Sequence, residues 1–445
     1  MIQIQIPEKV KKIIDTLTAA GQEAYAVGGC VRDAVLHREP ADWDITTSAS
    51  PMEVKSLFKK TIDTGLQHGT VTVMLGHEGF EVTTYRVDGV YEDCRHPKEV
   101  QFTKSLLEDL KRRDFTINAM AYSPSEGLVD AFDGIGDLKR GVIRCVGEAR
   151  ERFTEDALRM LRAVRFGAQL GFTLEAETKK AIGELCENLN MVSAERVQAE
   201  LVKLLLSPHP EKLLEVWETG MTKVILPEFD ACMACAQKNP HHKYSVGEHT
   251  ICALKNIEAN RMLRLAMLFH DFGKPIVKTT DAKGIDHFHR HQEVSEQLAE
   301  AVMRRLRFDN DTMRAVTKLV RYHDDHPALT PAGVRRAVNR IGEDLFPYYL
   351  KVQRADILAQ ATETQKEKLA AVERVEYLFD KILEEKDCFT LKQLAVGGRD
   401  LIAAGIPAGP ALGEVLAHLL ELVIEEPKKN DRQWLMEEAI RFYKN

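Results

Sequence analysis

The chain has 445 residues, 44% of them hydrophobic, enough for about three domains at ~150 residues each and for a core that needs no covalent staples. No apolar run approaches the ~20 residues of a membrane helix, and MIQIQIPEKVKKI lacks a charged-then-apolar leader, so a bilayer protein is excluded and a cytoplasmic one expected. Eight scattered cysteines suit free thiols better than a disulfide framework, and the net charge of −7 excludes an evenly basic nucleic-acid binder. The charge is nonetheless uneven. Lys111, Arg112 and Arg113, then Lys139, Arg140, Arg144, Arg150, Arg152, Arg159, Arg162 and Arg165, form a basic stripe, while acid gathers in the C-terminal third. A phosphate backbone responds to such a stripe within a Debye length of ~10 Å, whatever the global sign.

In chain order, residues 7–21 predict an amphipathic helix with Val10, Ile13, Ile14 and Leu17 on one face, ending at Gly21. AYAV (24–27) reads as a strand, Gly28-Gly29 as a tight turn, and VRDAVL as a helix whose first amides can face a phosphate. Asp42-Trp43-Asp44 is expected on a strand, with the two carboxylates on one face and Trp43 turned to the core. Two hard oxygen ligands beside a triphosphate cradle match the needs of one or two Mg²⁺ ions, although a turn-forming aspartate pair has the same spelling. A helix near 51–60 and two strands, 69–75 and 80–86, joined at HEG, complete a small mixed sheet. Glu81 on the second strand is either a third acid for the metals or an edge-strand ion pair.

The GG-x-VRD and DxD motifs at this spacing resemble the nucleotidyltransferases of the polymerase-beta type, and among them the bacterial CCA-adding enzymes and class II poly(A) polymerases. The resemblance implies that Gly28, Gly29 and Arg32 hold a triphosphate and that Asp42 and Asp44, with Glu81, carry catalysis with Mg²⁺. It also covers the polar stretch 87–102 (Asp88, Tyr91, Asp93, Arg95, Pro97), where the family has a flexible loop that helps the site shift from C to A. LKRRDFTINAMA then matches closely. Arg113 is carried over as a contact to the nucleotide phosphates, and Asp114 and Asn118, at i and i+4, are candidates for ordering the arginines or the ribose. The head is expected to end near residue 147.

RFTEDALRMLRAVRFGAQLGF (152–172) predicts one helix, capped by Thr154, with Leu158, Leu161 and Val164 inward and Asp156 and Arg159 neighbours on its surface. Glu155, four residues before Arg159, is placed to brace its guanidinium. An acceptor beside a donor fits the exocyclic amine and ring nitrogen that cytosine and adenine share, and leaves uracil and guanine with unpaired polar groups. In isolation the same pair is a commonplace surface ion pair. EDALR resembles the EDxxR signature of class II tRNA nucleotidyltransferases, which also implies nucleotide contacts at Arg162 and Arg165. Residues 192–210 read as a further amphipathic helix of a neck.

His249, His270-Asp271, His291, His323 and Asp356 resemble the metal set of an HD-domain phosphohydrolase, with His289 or His326 as substitutes. Nitrogen and oxygen ligands of this kind suit a divalent transition metal, Mn²⁺ or Ni²⁺. Cys232 and Cys235 with His241 and His242 form an alternative zinc set. The tail is helical around GIPAGP and resembles the segment that grips the tRNA elbow, with Gly397, Gly398 and Arg399 as backbone-contact candidates; a packing hairpin is the other reading.

The expectation is therefore an α+β chain: a mixed-sheet head (1–147), a helical neck (148–230), an HD-type body (231–375) and a helical tail (376–445). Its expected activity is template-independent addition of CCA to tRNA 3' ends from CTP and ATP. The alternatives are an A-adding enzyme or poly(A) polymerase, against which the acidic C-terminus argues by resemblance, and an HD phosphohydrolase acting on RNA ends or cyclic phosphates.

Overall fold

The computed structural model describes residues 3–89, 100–238, 244–361 and 365–444, and the chain divides into two compact units, 1–227 and 228–445. The first begins with α1 (Glu8–Ala19), β1 (Ala24–Val27), α2 (Gly29–Val35), β2 (Ile45–Thr47), α3 (Pro51–Leu57), β3 (Thr61–Gly65), β4 (Thr70–Leu75) and β5 (Glu78–Thr84). β6 (Arg86–Asp88), β7 (Val100–Phe102), α4 (Leu106–Lys111), β8 (Met120–Ser123) and β9 (Gly127–Asp130) follow. Seven strands make one mixed sheet in the order β3-β4-β5-β2-β1-β8-β9, in which β2 and β5 run parallel and every other neighbouring pair antiparallel.

The local reasons are those the sequence suggests. Val10, Ile13, Ile14 and Leu17 recur at helical spacing and are all buried, and Gly21 takes φ +79°, a left-handed turn that releases the chain into β1. β1 lies inside the sheet, and all four residues of AYAV are buried. Ser50 and Glu53 cap α3 reciprocally, with Pro51 in its first turn.

The rest of this unit is mainly helical: α5 (Gly134–Arg140), α6 (Ala149–Glu155), α7 (Leu158–Leu170), α8 (Ala176–Leu185), α9 (Ala194–Leu205), α10 (Leu213–Glu218) and α11 (Thr222–Ile225), with β10 (Val142–Ile143) paired to β11 (Thr173–Leu174). The single helix expected over 152–172 is two. Asp156 leaves helical geometry (φ −139°, ψ 103°), and its Oδ1 accepts the Leu158 N–H at 3.1 Å, so the side chain starts a new helix where the old one ends. Thr154 does not cap; its hydroxyl donates back to the Arg150 carbonyl within α6.

The second unit is almost entirely helical: α12 (Pro227–Ala234), α13 (Val246–Lys255), α14 (Arg261–Phe269), α15 (Lys274–Val277), the β12 (Thr279–Thr280) and β13 (Asp286–His287) hairpin, α16 (His291–Arg305), α17 (Asn310–Tyr322), α18 (Pro331–Ile341), α19 (Phe346–Ala359), α20 (Gln365–Glu384), α21 (Gly398–Ala403), α22 (Pro410–Glu425) and α23 (Arg432–Lys444). Leu401, Val415, Leu419, Val423 and Leu435 form an apolar cluster among the last three helices, whereas Ile402 faces water.

Candidate active site and metal centre

Asp42, Trp43 and Asp44 occupy an extended segment immediately before β2, and the Val27 N–H donates to the Asp44 carbonyl at 3.0 Å, extending the β1–β2 pairing by one step. Because Ile45 pairs with Val82 in the parallel β2–β5 ladder, Glu81 is the neighbour of Asp44 one position earlier. Asp42, Asp44 and Glu81 line one groove of about 640 Å³. Trp43 lines it too and is only half-buried, contrary to the expected core position; the segment precedes the ladder, so strict two-residue alternation does not govern it. Glu81 sits between β4 and β2 rather than on an edge, which removes the edge-strand reading.

The Asp44 carboxyl is raised to about 6, by crowding from surrounding protein first and then by the like charge of Asp42, with Arg113 opposing and Glu81 adding. A bound cation would cancel the part of this shift that like charge contributes. A set of hard oxygens held against their own repulsion fits Mg²⁺.

Behind the groove, Gly28 takes φ +84°, and a Cβ there would lie 3.1 Å from Arg113 Nη1. Gly29 opens α2. Arg32 donates through Nη1 to Asn118 Oδ1 at 2.8 Å, Asn118 Nδ2 donates to Asp114 Oδ1 at 3.2 Å, and Asp114 Oδ2 accepts from Arg162 Nε and Nη2 at 2.9 and 2.6 Å. Burial tends to raise Asp114, but the charge and hydrogen bonds of Arg162 prevail and hold it at about 2. Arg32, Arg162 and Arg165 surround the Phe166 ring, their guanidinium carbons 5.0, 5.3 and 3.6 Å from its centroid. Arg113 Nη2 meets Asp109 Oδ2 at 3.3 Å, and Arg165 Nε meets Glu200 Oε2 at 2.7 Å.

Arg159 is buried rather than on the surface. Its Nη1 donates to Glu155 Oε2 at 2.6 Å and to the Arg152 carbonyl, and its Nη2 donates to the Arg112 carbonyl. Asp156 Oδ2 accepts from Arg196 Nη2 at 2.8 Å, a partner the sequence reading missed. The basic stripe is not a bare cationic face either. Arg140 and Arg144 pair with Asp137, close in sequence, whereas Arg150 pairs with Glu184 and Arg162 with Asp114, acids too distant in sequence for a local charge count to connect. Of the 87–102 stretch, Tyr91, Asp93, Arg95 and Pro97 lie outside the described residues.

In the second unit, His249, His270, Asp271, His291 and His323 converge, all buried, with Asp356 beside them. His249 Nε2 is 2.7 Å from Asp356 Oδ1, His270 Nε2 is 3.2 Å from Asp271 Oδ2, and His291 Nε2 is 3.4 Å from Asp271 Oδ1. Two triads arise, His249–His270–Asp271 and Asp271–His291–His323, sharing Asp271. Every histidine of the set directs Nδ1 at a backbone carbonyl, of Ala359, Met267, Phe288 and Val320 respectively, which fixes the tautomer and leaves Nε2 to face the centre. Among the described residues His270 Nε2 and Asp271 Oδ1 lack hydrogen-bond partners, the condition of ligands built for a cation, while Asp271 Oδ2 is met by the Lys274 ammonium.

Against burial, Asp271 and Asp356 raise His270 to about 10, while burial and the neighbouring His270 and His291 lower His323 to about 4. His289 and His326 are exposed and stand apart from these triads. Lys274 was not singled out from the sequence. It is buried with Nζ 2.7 Å from Asp271 Oδ2, and its signal was the i, i+3 spacing in HDFGK. Cys232 is buried near Asp271, neither cysteine of the CxxC joins a triad, and His241 and His242 lie outside the described residues.

Carboxylates gathered from β5 and the segment before β2, a glycine turn opening a helix and arginine-rich helices after the sheet define the first unit as a nucleotidyltransferase of the poly(A) polymerase class. The family model for the poly A polymerase head domain matches residues 24–144, that for the RNA and SrmB-binding site of polymerase A matches 171–233, and that for tRNA nucleotidyltransferase domain 2 matches 279–439. The chain is 36% identical over 430 residues to the CCA-adding enzyme of Levilactobacillus brevis, covering 96% of each, and so belongs to the CCA-adding enzymes. Its match to the Lactiplantibacillus plantarum CCA-adding enzyme is 52% identical over 213 residues but spans about half of each protein, 47% of this chain and 52% of that one. The crystal structure of Bacillus stearothermophilus CCA-adding enzyme in complex with CTP superposes with a TM-score of 0.71 at 30% identity, covering 99% of this chain and 100% of that one. Among the described residues, no helix is long and apolar enough to cross a membrane.

Proposed function

We propose that the first unit completes the 3'-CCA end of tRNA from CTP and ATP, with Asp42, Asp44 and Glu81 at the reacting centre. The groove that gathers these three carboxylates, from β5 and the segment leading into β2, is the observation that carries the reading. Asp42 and Asp44 hold Mg²⁺, which supplies Lewis acidity to the primer hydroxyl and the triphosphate. Gly28 lets the backbone approach the phosphates without a side chain in the way, and Arg32 and Arg113 neutralise their charge. Asn118 and Asp114 align Arg32 with Arg162, so the phosphate-binding arginine and the arginine of α7 belong to one bonded set. Asp156 accepts from the exocyclic amine of C or A while Arg159 donates to the ring nitrogen, and Arg162 and Arg165 secure the nucleotide. Uracil and guanine offer the reverse pattern, which sets an acceptor against Asp156 and a donor against Arg159. The head ends near 147 and the neck runs from 148 to 230.

The second unit supports a metal-dependent hydrolytic centre beside this activity, because His270 Nε2 and Asp271 Oδ1 lack hydrogen-bond partners among the described residues. His249, His270, Asp271 and Asp356 hold one ion and Asp271, His291 and His323 a second, with Mn²⁺ or Ni²⁺ matching the mixed N/O donors. Its substrates are RNA ends or cyclic phosphates.

The test of the first reading is transfer of label from α-labelled CTP to a tRNA lacking its last three residues. Asp42→Asn and Asp44→Asn should each reduce transfer at least ~10³-fold while leaving tRNA binding intact. Near-normal transfer by either variant would reject the assignment.

A further inference from the structure

Asp156 and Arg159 lie three residues apart, the spacing at which an acid and a base on one helical turn ordinarily join each other. They do not. Arg159 is taken by Glu155, at 2.6 Å, and by two backbone carbonyls, while Asp156 is taken on one oxygen by the Leu158 N–H, at 3.1 Å, and on the other by Arg196, at 2.8 Å. Arg196 comes from a different element, α9, and one turn further along the same helix Glu200 holds Arg165 at 2.7 Å. One face of α9 thus presents a cation to the acid that precedes α7 and an anion to a base within it. Arg196 also keeps Nη1 buried with no hydrogen-bond partner among the described residues, a condition that packing alone would not maintain.

We propose that Arg196 is the specificity-positioning residue of the base-reading pair. The inference rests on the reading of Asp156 and Arg159 as the groups that select the nucleotide. With both Asp156 oxygens held, the carboxylate plane is fixed, yet each oxygen keeps a lone pair for an incoming amine. Without Arg196 the carboxylate is released toward Arg159, acceptor and donor neutralise each other, and the pattern that distinguishes C and A from U and G is lost. Arg196 acts through Asp156 and needs no contact with the nucleotide. Its removal therefore changes which base is accepted more than how fast phosphodiester bonds form.

The experiment uses the full chain and a tRNA lacking CCA, and compares kcat/KM for CTP with that for UTP, and for ATP with that for GTP. Arg196→Met should lower both ratios about tenfold, with KM for CTP raised more than kcat is lowered, and Arg196→Lys should restore part of the loss. A purely structural role would slow all four nucleotides alike and leave the ratios unchanged, and that result would overturn the proposal. Should Arg196→Met fail to fold, Arg196→Gln keeps an N–H donor and most of the volume, and the same ratios decide. Asp156→Ala separates the two layers. If it leaves selectivity intact, the base-reading assignment fails; if it abolishes selectivity while Arg196→Met and Arg196→Gln retain wild-type ratios, only the role of Arg196 falls.

Discussion

Asp114 Oδ2 receives two hydrogen bonds from Arg162, from Nε at 2.9 Å and from Nη2 at 2.6 Å, across 48 residues of sequence. Through Asn118 the same carboxylate reaches Arg32, so one buried acid links the glycine turn, the KRRDFTINAMA segment and the neck helix.

Asp114 is depressed to about 2, against an ordinary carboxyl value near 4. A carboxyl whose folded value is lowered contributes stability that is complete above its unfolded pKa and is lost as pH falls through the folded one, here between about pH 4 and 2. Urea unfolding of Asp114→Asn should show a deficit of roughly 2 kcal/mol at pH 6 that shrinks below pH 4. A deficit independent of pH would contradict the charge assignment.

Gly28 combines φ +84° with a Cβ position 3.1 Å from Arg113 Nη1. Gly28→Ala should therefore cost about 1–2 kcal/mol in stability from the left-handed backbone alone, and displacement of Arg113 should raise KM for both CTP and ATP. Thermal unfolding and initial-rate kinetics check the two parts separately; an unchanged KM would mean that Arg113 does not meet the triphosphate.

The second unit should bind transition metal whether or not nucleotide is present. After dialysis against Mn²⁺ or Ni²⁺ and removal of excess, the wild-type protein should retain metal by elemental analysis, and its Tm should rise, since an ion that binds only the folded state stabilises it by mass action. Asp271→Asn, which alters the ligand shared by both triads, should lose most of that metal and the Tm shift. Retention of full metal would place the ions elsewhere.

Much of this was legible in the sequence because it is periodic or local. The apolar spacing of α1 and the AYAV strand each depend on residues within one or two turns. The order of the DxD, KRRDF, EDALR and HD motifs pointed to two chemistries, and the HD histidines do converge. What stayed hidden depends on side chains that act against the backbone pattern or across long separations. Asp156 breaks a helix that apolar spacing predicted to continue, because its carboxylate competes for the Leu158 amide. The arginine stripe read as a phosphate-binding surface because Asp114, Glu184 and Glu200, which absorb Arg162, Arg150 and Arg165, are distant in sequence from them. Trp43 was assigned to the core by an alternation that begins only at Ile45.

The most direct test of the whole account is to incubate the protein with a tRNA lacking its last three residues and Mg²⁺, supply CTP alone, ATP alone or both, and sequence the 3' ends. The expected products are C-C with CTP alone, C-C-A and then a stop with both, and none from Asp42→Ala. Long A tracts, addition only to ends that already carry C-C, or undiminished addition by Asp42→Ala would contradict it.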